Sequence, residues 1–126
     1  MTILETERLR LREFRPSDLD ALFELYRDPE IRRYFPDGTR TYEQTREELE
    51  WFSRGEPHSL WATELKEDGA FIGRCGLLPW TIDQRDEVEV AYMIGKPWQR
   101  RGFATEAACA LVRHGFESLG LRRIIA

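Results

Sequence analysis

Gln99-Arg100-Arg101-Gly102-Phe103-Ala104 has the composition of an anion-binding loop, a glycine set among main-chain N–H donors with two guanidinium groups beside it. Gly102 lets the backbone approach a ligand closely. Lys96, Arg100 and Arg101 concentrate positive charge in a chain whose net charge is −4. If a helix opens at this loop, a phosphate fits it, because the first helical turn has N–H groups without intrahelical partners at the positive end of the macrodipole. A connecting loop with solvated arginines is the plainer reading of the same residues. Just upstream, Glu89 interrupts an otherwise apolar run, and a carboxylate in that setting is a candidate general base, its pKa raised by burial. A solvated glutamate on a sheet face, or one that anchors a loop, is the alternative. Glu87 shares its face two residues earlier and is the substitute.

The elements that position these residues follow from periodicity. Val88 to Ile94 is β-branched, aromatic and short, which predicts a strand. The chain turns at Gly95-Lys96-Pro97; Ala104, Ala107, Ala108, Leu111, Val112, Phe116 and Leu119 then mark one face of a helix ending near Gly120. Near the N-terminus, Leu9 and Leu11 alternate with Arg8, Arg10 and Arg12, predicting a strand with one apolar and one charged face. Ser17-Asp18-Leu19-Asp20 reads as a capping box opening a helix that ends at Asp28-Pro29, and Thr41-Tyr42-Glu43-Gln44 opens a second that stops near Gly55. Residues 31–38 read as a short helical turn and a loop. Leu60 to Leu65 and Phe71 to Leu78 read as strands around the turn Lys66-Glu67-Asp68-Gly69, with Thr81 to Asp86 linking to the glutamate-bearing strand. Arg122 to Ala126 begins another strand. This order implies an α+β fold, a mostly antiparallel central sheet with flanking helices and one parallel pair made by a crossover helix.

A chain of 126 residues, 41% hydrophobic, supports one core, so residues 1–126 form a single domain. Net charge and a pI near 5.3 argue against nucleic-acid binding and do not repel a cationic amine. Cys75 and Cys109 have no histidine-rich neighbourhood and read as buried thiols rather than a disulfide or a metal site. No apolar run approaches the roughly 20 residues of a membrane span and no signal peptide is evident, so the expectation is a cytoplasmic protein without membrane partners. His58 and His114 lack a nucleophile pattern, Trp51, Trp61, Trp80 and Trp98 read as partly buried packing residues with an acceptor pocket as the alternative, and Glu106 favours the positive end of the helix dipole. No phosphate-binding loop of the Gly-x-x-x-x-Gly-Lys type or dinucleotide fingerprint is present.

The chain resembles the GNAT superfamily of N-acetyltransferases, in particular the group that acetylates the N-termini of ribosomal proteins. The superfamily loop, Gln/Arg-x-x-Gly-x-Gly/Ala, is matched by Gln99 to Ala104. Glu7-Arg8-Leu9-Arg10-Leu11-Arg12, Ile72-Gly73-Arg74-Cys75-Gly76, Glu89-Val90-Ala91-Tyr92 and Phe103-Ala104-Thr105-Glu106-Ala107 resemble, in order, the group's opening strand, central hairpin, glutamate-bearing strand and cofactor helix.

This resemblance implies acetyl transfer from acetyl-CoA to a primary amine, with a protein N-terminus as the acceptor the subgroup suggests and small amines as others. It implies Gln99, Arg100, Arg101, Gly102, Phe103 and Ala104 around the pyrophosphate, main-chain N–H groups of Met93 and Ile94 along the pantetheine arm, and Glu89 as base. It also brings Tyr34 and Phe35 near the acceptor. Members of the family continue beyond the last strand, so the expectation is a domain truncated there, whose exposed edge favours pairing between two copies. No general acid is assigned. The competing expectation is a non-catalytic acyl-CoA-binding or interaction module.

Overall fold

Alternation at Leu9-Arg10-Leu11-Arg12 yields a strand whose two leucines are fully buried. Burying such a leucine is worth about 1.5–3 kcal/mol. The computed structural model describes every residue except Tyr34 and Asp37. Among these, the strands β1 (Thr2–Glu5), β2 (Leu9–Arg12), β3 (Leu60–Leu65), β4 (Phe71–Ile82) and β5 (Arg85–Ile94) form one antiparallel sheet in chain order. The helices α1 (Leu19–Tyr26), α2 (Pro29–Arg32) and α3 (Tyr42–Phe52) precede β3, and α4 (Phe103–Glu117) follows β5. Phe103, Ala107 and Leu111 of α4 pack with Leu9, Leu11 and Leu77 on one face of the sheet. Leu22 and Tyr26 of α1 and Leu49 and Phe52 of α3 pack with Leu60, Ala62 and Met93 on the other.

The chain returns from α4 to the sheet at Ile125, which pairs in parallel with Glu89. Ile125 N–H donates to Val88 O and Val90 N–H donates to Ile125 O, both at 2.8 Å. The expected parallel pair is therefore present, reduced among the described residues to a single bridge.

Several local expectations change. β1 pairs with β2 and has no counterpart in the sequence reading. The β4–β5 hairpin is longer than predicted and turns at Asp83 and Gln84, both at positive φ, 51° and 64°. Pro79 is tolerated inside β4 because β3 has already ended at the level of Gly76, leaving no ladder for its missing N–H to serve. The capping box expected at Ser17 is displaced: Pro16–Asp18 form a turn of 3-10 helix, and the Asp18 carboxylate accepts the Arg15 N–H at 2.7 Å. At Thr41 the box forms as expected, with Gln44 N–H donating to the threonine hydroxyl and Thr41 N–H to the glutamine carbonyl. The charged face of β2 is not solvated at its end, because Arg12 is buried in a paired grip on Asp18, at 2.8 and 2.9 Å, with a further bond to Glu64 at 3.1 Å.

Candidate functional site

Gln99 to Ala104 lies between a 3-10 turn at Lys96–Trp98 and the first turn of α4. Arg100 and Gly102 both adopt left-handed backbone, φ 62° and 83°, so the chain coils around Arg101. Gly102 is the N-cap of α4 and offers no side chain to cap it, which leaves the first-turn N–H groups available to an anion. The Phe103 ring is buried in the core, with the Arg8 guanidinium 4.3 Å and the Arg101 guanidinium of the loop 5.2 Å from its centre. Gln99 donates its side-chain N–H to Ile94 O at 2.9 Å and ties the loop to the end of β5. Of the three cations expected to charge this loop, Lys96 is already paired with Glu30 at 2.5 Å and Asp28 at 3.6 Å, leaving Arg100 and Arg101 as the loop's own positive charge.

Strand register decides which main-chain groups of β5 face outward. Gly95 N–H donates to Ile72 O at 2.8 Å, so the bonded pairs of the β4–β5 ladder are those in step with it, including Arg74 with Met93 and Gly76 with Ala91. Met93 therefore turns its main-chain groups toward β4, and a Cβ on Gly73 would meet Met93 O at 2.0 Å. Met93 N–H is thus turned to β4, against the expectation that it faces a ligand, and the main chains of Tyr92 and Ile94 point to the opposite edge instead. Among the described residues, backbone pairing on that edge reaches Val90 and goes no further.

Glu89 sits where this pairing ends. It projects from the α1/α3 face of the sheet with Ala91 and Met93, is half-buried, and accepts a hydrogen bond from the Trp80 indole N–H at 2.9 Å. Glu87, on the same face, is buried and bound to the Arg123 guanidinium at 3.1 Å. Glu89 thus keeps a neutral partner where Glu87 holds a cationic one. Trp80, His58 and Glu87 border a cavity of about 370 Å³ on this side.

The GNAT acetyltransferase domain family matches residues 8–126. The chain belongs to the GNAT acetyltransferases. A Bacillus subtilis (strain 168) protein named YkkB is 38% identical over 119 residues, covering 91% of this chain and 69% of its own length. The crystal structure of a GNAT-family acetyltransferase from Bacillus anthracis superposes with a TM-score of 0.85 at 25% identity, over 98% of this chain and 71% of that one. RimL, described as a ribosomal L7/L12 alpha-N-protein acetyltransferase in complex with coenzyme A, shares the fold at a TM-score of 0.76 and 18% identity, over 98% of this chain and 72% of its own.

As a GNAT acetyltransferase the chain is an acyltransferase of a family that uses acetyl-CoA. Its remaining expected residues lie apart from the loop. Cys75 is buried, its thiol pushed up to about 11 by burial, whereas Cys109 is exposed on α4, against the expectation that both are buried. His114 packs edge-on to Trp61 in a structural contact. Trp61 is buried as expected, while Trp51 and Trp80 are exposed. Phe35 lies under the Arg32 guanidinium at 4.1 Å, and Tyr34 is outside the described residues. Among the described residues no acidic, histidine or cysteine cluster could hold a metal, and no helix is long and apolar enough to cross a membrane.

Sequence reasoning missed two parts of this neighbourhood. Trp80 carried no signal beyond its type. Glu106 does more than meet a helix dipole: it accepts from the Thr6 hydroxyl, from Arg8 N–H at 2.9 Å and from the Arg8 guanidinium at 2.7 Å. Burial works to raise the Glu106 pKa, and these donors outweigh it and hold the carboxyl below its usual value.

Proposed function

We propose that this enzyme holds acetyl-CoA with its pyrophosphate on the N–H groups of the Gln99 to Ala104 loop and its acyl arm along Tyr92 and Ile94, and acetylates a primary amine deprotonated by Glu89. The observation that carries the reading is a glycine-capped helix start that follows directly on the strand bearing a half-buried carboxylate. Acetyl-CoA supplies an activated thioester. The chain supplies the rest. Gly102 gives the loop room for a phosphate, and the outward N–H groups of β5 are donors preorganised for an acyl oxygen, a contribution worth about 2.7–4 kcal/mol per donor in acyl transfer.

A protein α-amine with pKa near 7.7–8.0 is mostly protonated at pH 7 and freeing it costs about 1 kcal/mol, against about 4.6 kcal/mol for an alkyl amine near 10.4. Glu89, directly or through a water, takes that proton, with the Trp80 indole holding the carboxylate in place. A protein N-terminus is the acceptor we infer, supported by the motif resemblance to ribosomal-protein acetyltransferases. A model peptide with a free N-terminus and the same peptide blocked there, each offered with acetyl-CoA, test this choice by mass. Glu89→Gln is expected to lower kcat at least about a hundredfold while leaving coenzyme A affinity within about twofold. Turnover unchanged in that variant removes Glu89 from the role of base.

A further inference from the structure

We propose that Thr6, Arg8 and Glu106 form a clamp that aims the Gly102 N–H at the phosphate, making them positioning residues for the cofactor; the proposal rests on the loop being the cofactor seat. The Arg8 guanidinium reaches in two directions at once. Its Nε donates to Glu106 at 2.7 Å and one terminal nitrogen donates to Arg101 O at 3.0 Å. In a planar trans peptide the carbonyl of one residue and the N–H of the next point in opposite directions. Drawing the Arg101 carbonyl toward Arg8 therefore turns the Gly102 N–H away from it, to the outer side of the loop.

The same guanidinium lies directly beneath the glycine, since a Cβ on Gly102 would meet an Arg8 terminal nitrogen at 3.3 Å. Glu106 is what holds Arg8 there. Its carboxylate takes three donors from the turn that joins β1 to β2, Thr6 hydroxyl, Arg8 N–H and Arg8 guanidinium, while its own main-chain N–H donates to Gly102 O at 3.0 Å. One residue thus binds both the loop backbone and the side chain that orients it. Lysine cannot replace Arg8, because a single ammonium does not span Glu106 and the Arg101 carbonyl as a planar fork does. The arrangement also places a negative charge in the first turn of α4, where it repels phosphate. That charge helps binding only if it acts by fixing Arg8.

Calorimetric titration of the chain with coenzyme A tests this, comparing the wild type with Gly102→Val, Glu106→Gln, Arg8→Lys, Thr6→Val and the Arg8→Lys/Glu106→Gln pair. Folded wild type that fails to bind coenzyme A overturns the cofactor seat, and the clamp with it. Binding that is lost in Gly102→Val supports the loop as the seat; because its Cβ also presses on Arg8, the clamp is judged on the other variants. The clamp then requires Kd to rise about tenfold in both Glu106→Gln and Arg8→Lys, with the double variant no weaker than the worse single. These titrations are run well below each variant's unfolding midpoint, where a purely structural role leaves Kd unmoved. Affinity within about twofold of wild type in both singles overturns the clamp, and so does tighter binding by Glu106→Gln. If Glu106→Gln folds poorly, Thr6→Val, which removes one donor of three, decides: about threefold weaker binding supports the clamp and unchanged binding overturns it.

Discussion

Arg8, just before β2, and Arg12, at its end, both grip carboxylates, but the Arg12 side chain is 6% exposed and the Arg8 side chain 44%. Arg12 meets Asp18 and Glu64 in the interior, where an uncompensated charge is expensive. Arg8 meets Glu106 with its own guanidinium open to water, so the pair adds little to folding although the Glu106 side chain is only 18% exposed. The same chemistry therefore serves different ends. Burial makes the first cluster a condition of the fold, and exposure leaves the second free to set geometry at the loop.

The sharpest way to break this comparison is Asp18→Ala, which takes the doubly bonded carboxylate from buried Arg12, leaves it Glu64 and the Glu13 carbonyl, and is expected to cost about 3 kcal/mol in urea unfolding. A loss below about 1 kcal/mol, the ceiling for a surface pair, erases the distinction. Acid gives the next test. Burial works to raise the Asp18 pKa, but Arg12 and the Arg15 N–H outweigh it and depress the carboxyl in the folded state. Its contribution is thus complete above the unfolded value of about 3.9 and disappears as pH falls below that toward the folded value. The wild type should lose stability through that window more steeply than Asp18→Ala, measured by thermal unfolding across pH.

Arg8→Met should cost less than about 1 kcal/mol in the same urea assay, because the exposed pair is weak. Raising salt from 0.1 to 1 M shortens the screening length from about 10 to about 3 Å and should shrink that small cost further, leaving the Arg12 cluster unaffected. The smallest effect is expected on α3, where Arg46 pairs with Glu43 and Glu50 at the exposed helix face; Arg46→Gln should leave the urea midpoint indistinguishable from that of the wild type.

What the sequence discloses here is whatever is local. The Thr41 cap, the glycine turn at Gly69, the helix after Gly102 and the loop before it are each written within a few consecutive residues, and each is present. The alternation around Leu11 reveals two faces of a strand but not what covers them, so Arg12 reads as solvated until Asp18 is folded over it. Asp83-Gln84 carries no glycine to announce a hairpin, and both residues accept positive φ within a long ladder. The direction of the β5 main-chain groups depends on register with β4, which the β5 residues alone do not contain; hence Met93 is chosen where Tyr92 faces outward. Glu106 is the extreme case, its partners Thr6 and Arg8 lying about a hundred positions away.

That separation has a kinetic side. Joining Thr6 to Glu106 closes a chain loop at a separation of 100 residues, an entropic demand near 4 kcal/mol by the (3/2)RT ln n rule, against about 1.6 kcal/mol for the separation of 6 between Arg12 and Asp18. The interior pair can form early, from neighbours. The Thr6–Glu106 link must wait until α4 has emerged and docked, so during synthesis the fold begins at one end of β2 while the loop at the other is still unsupported.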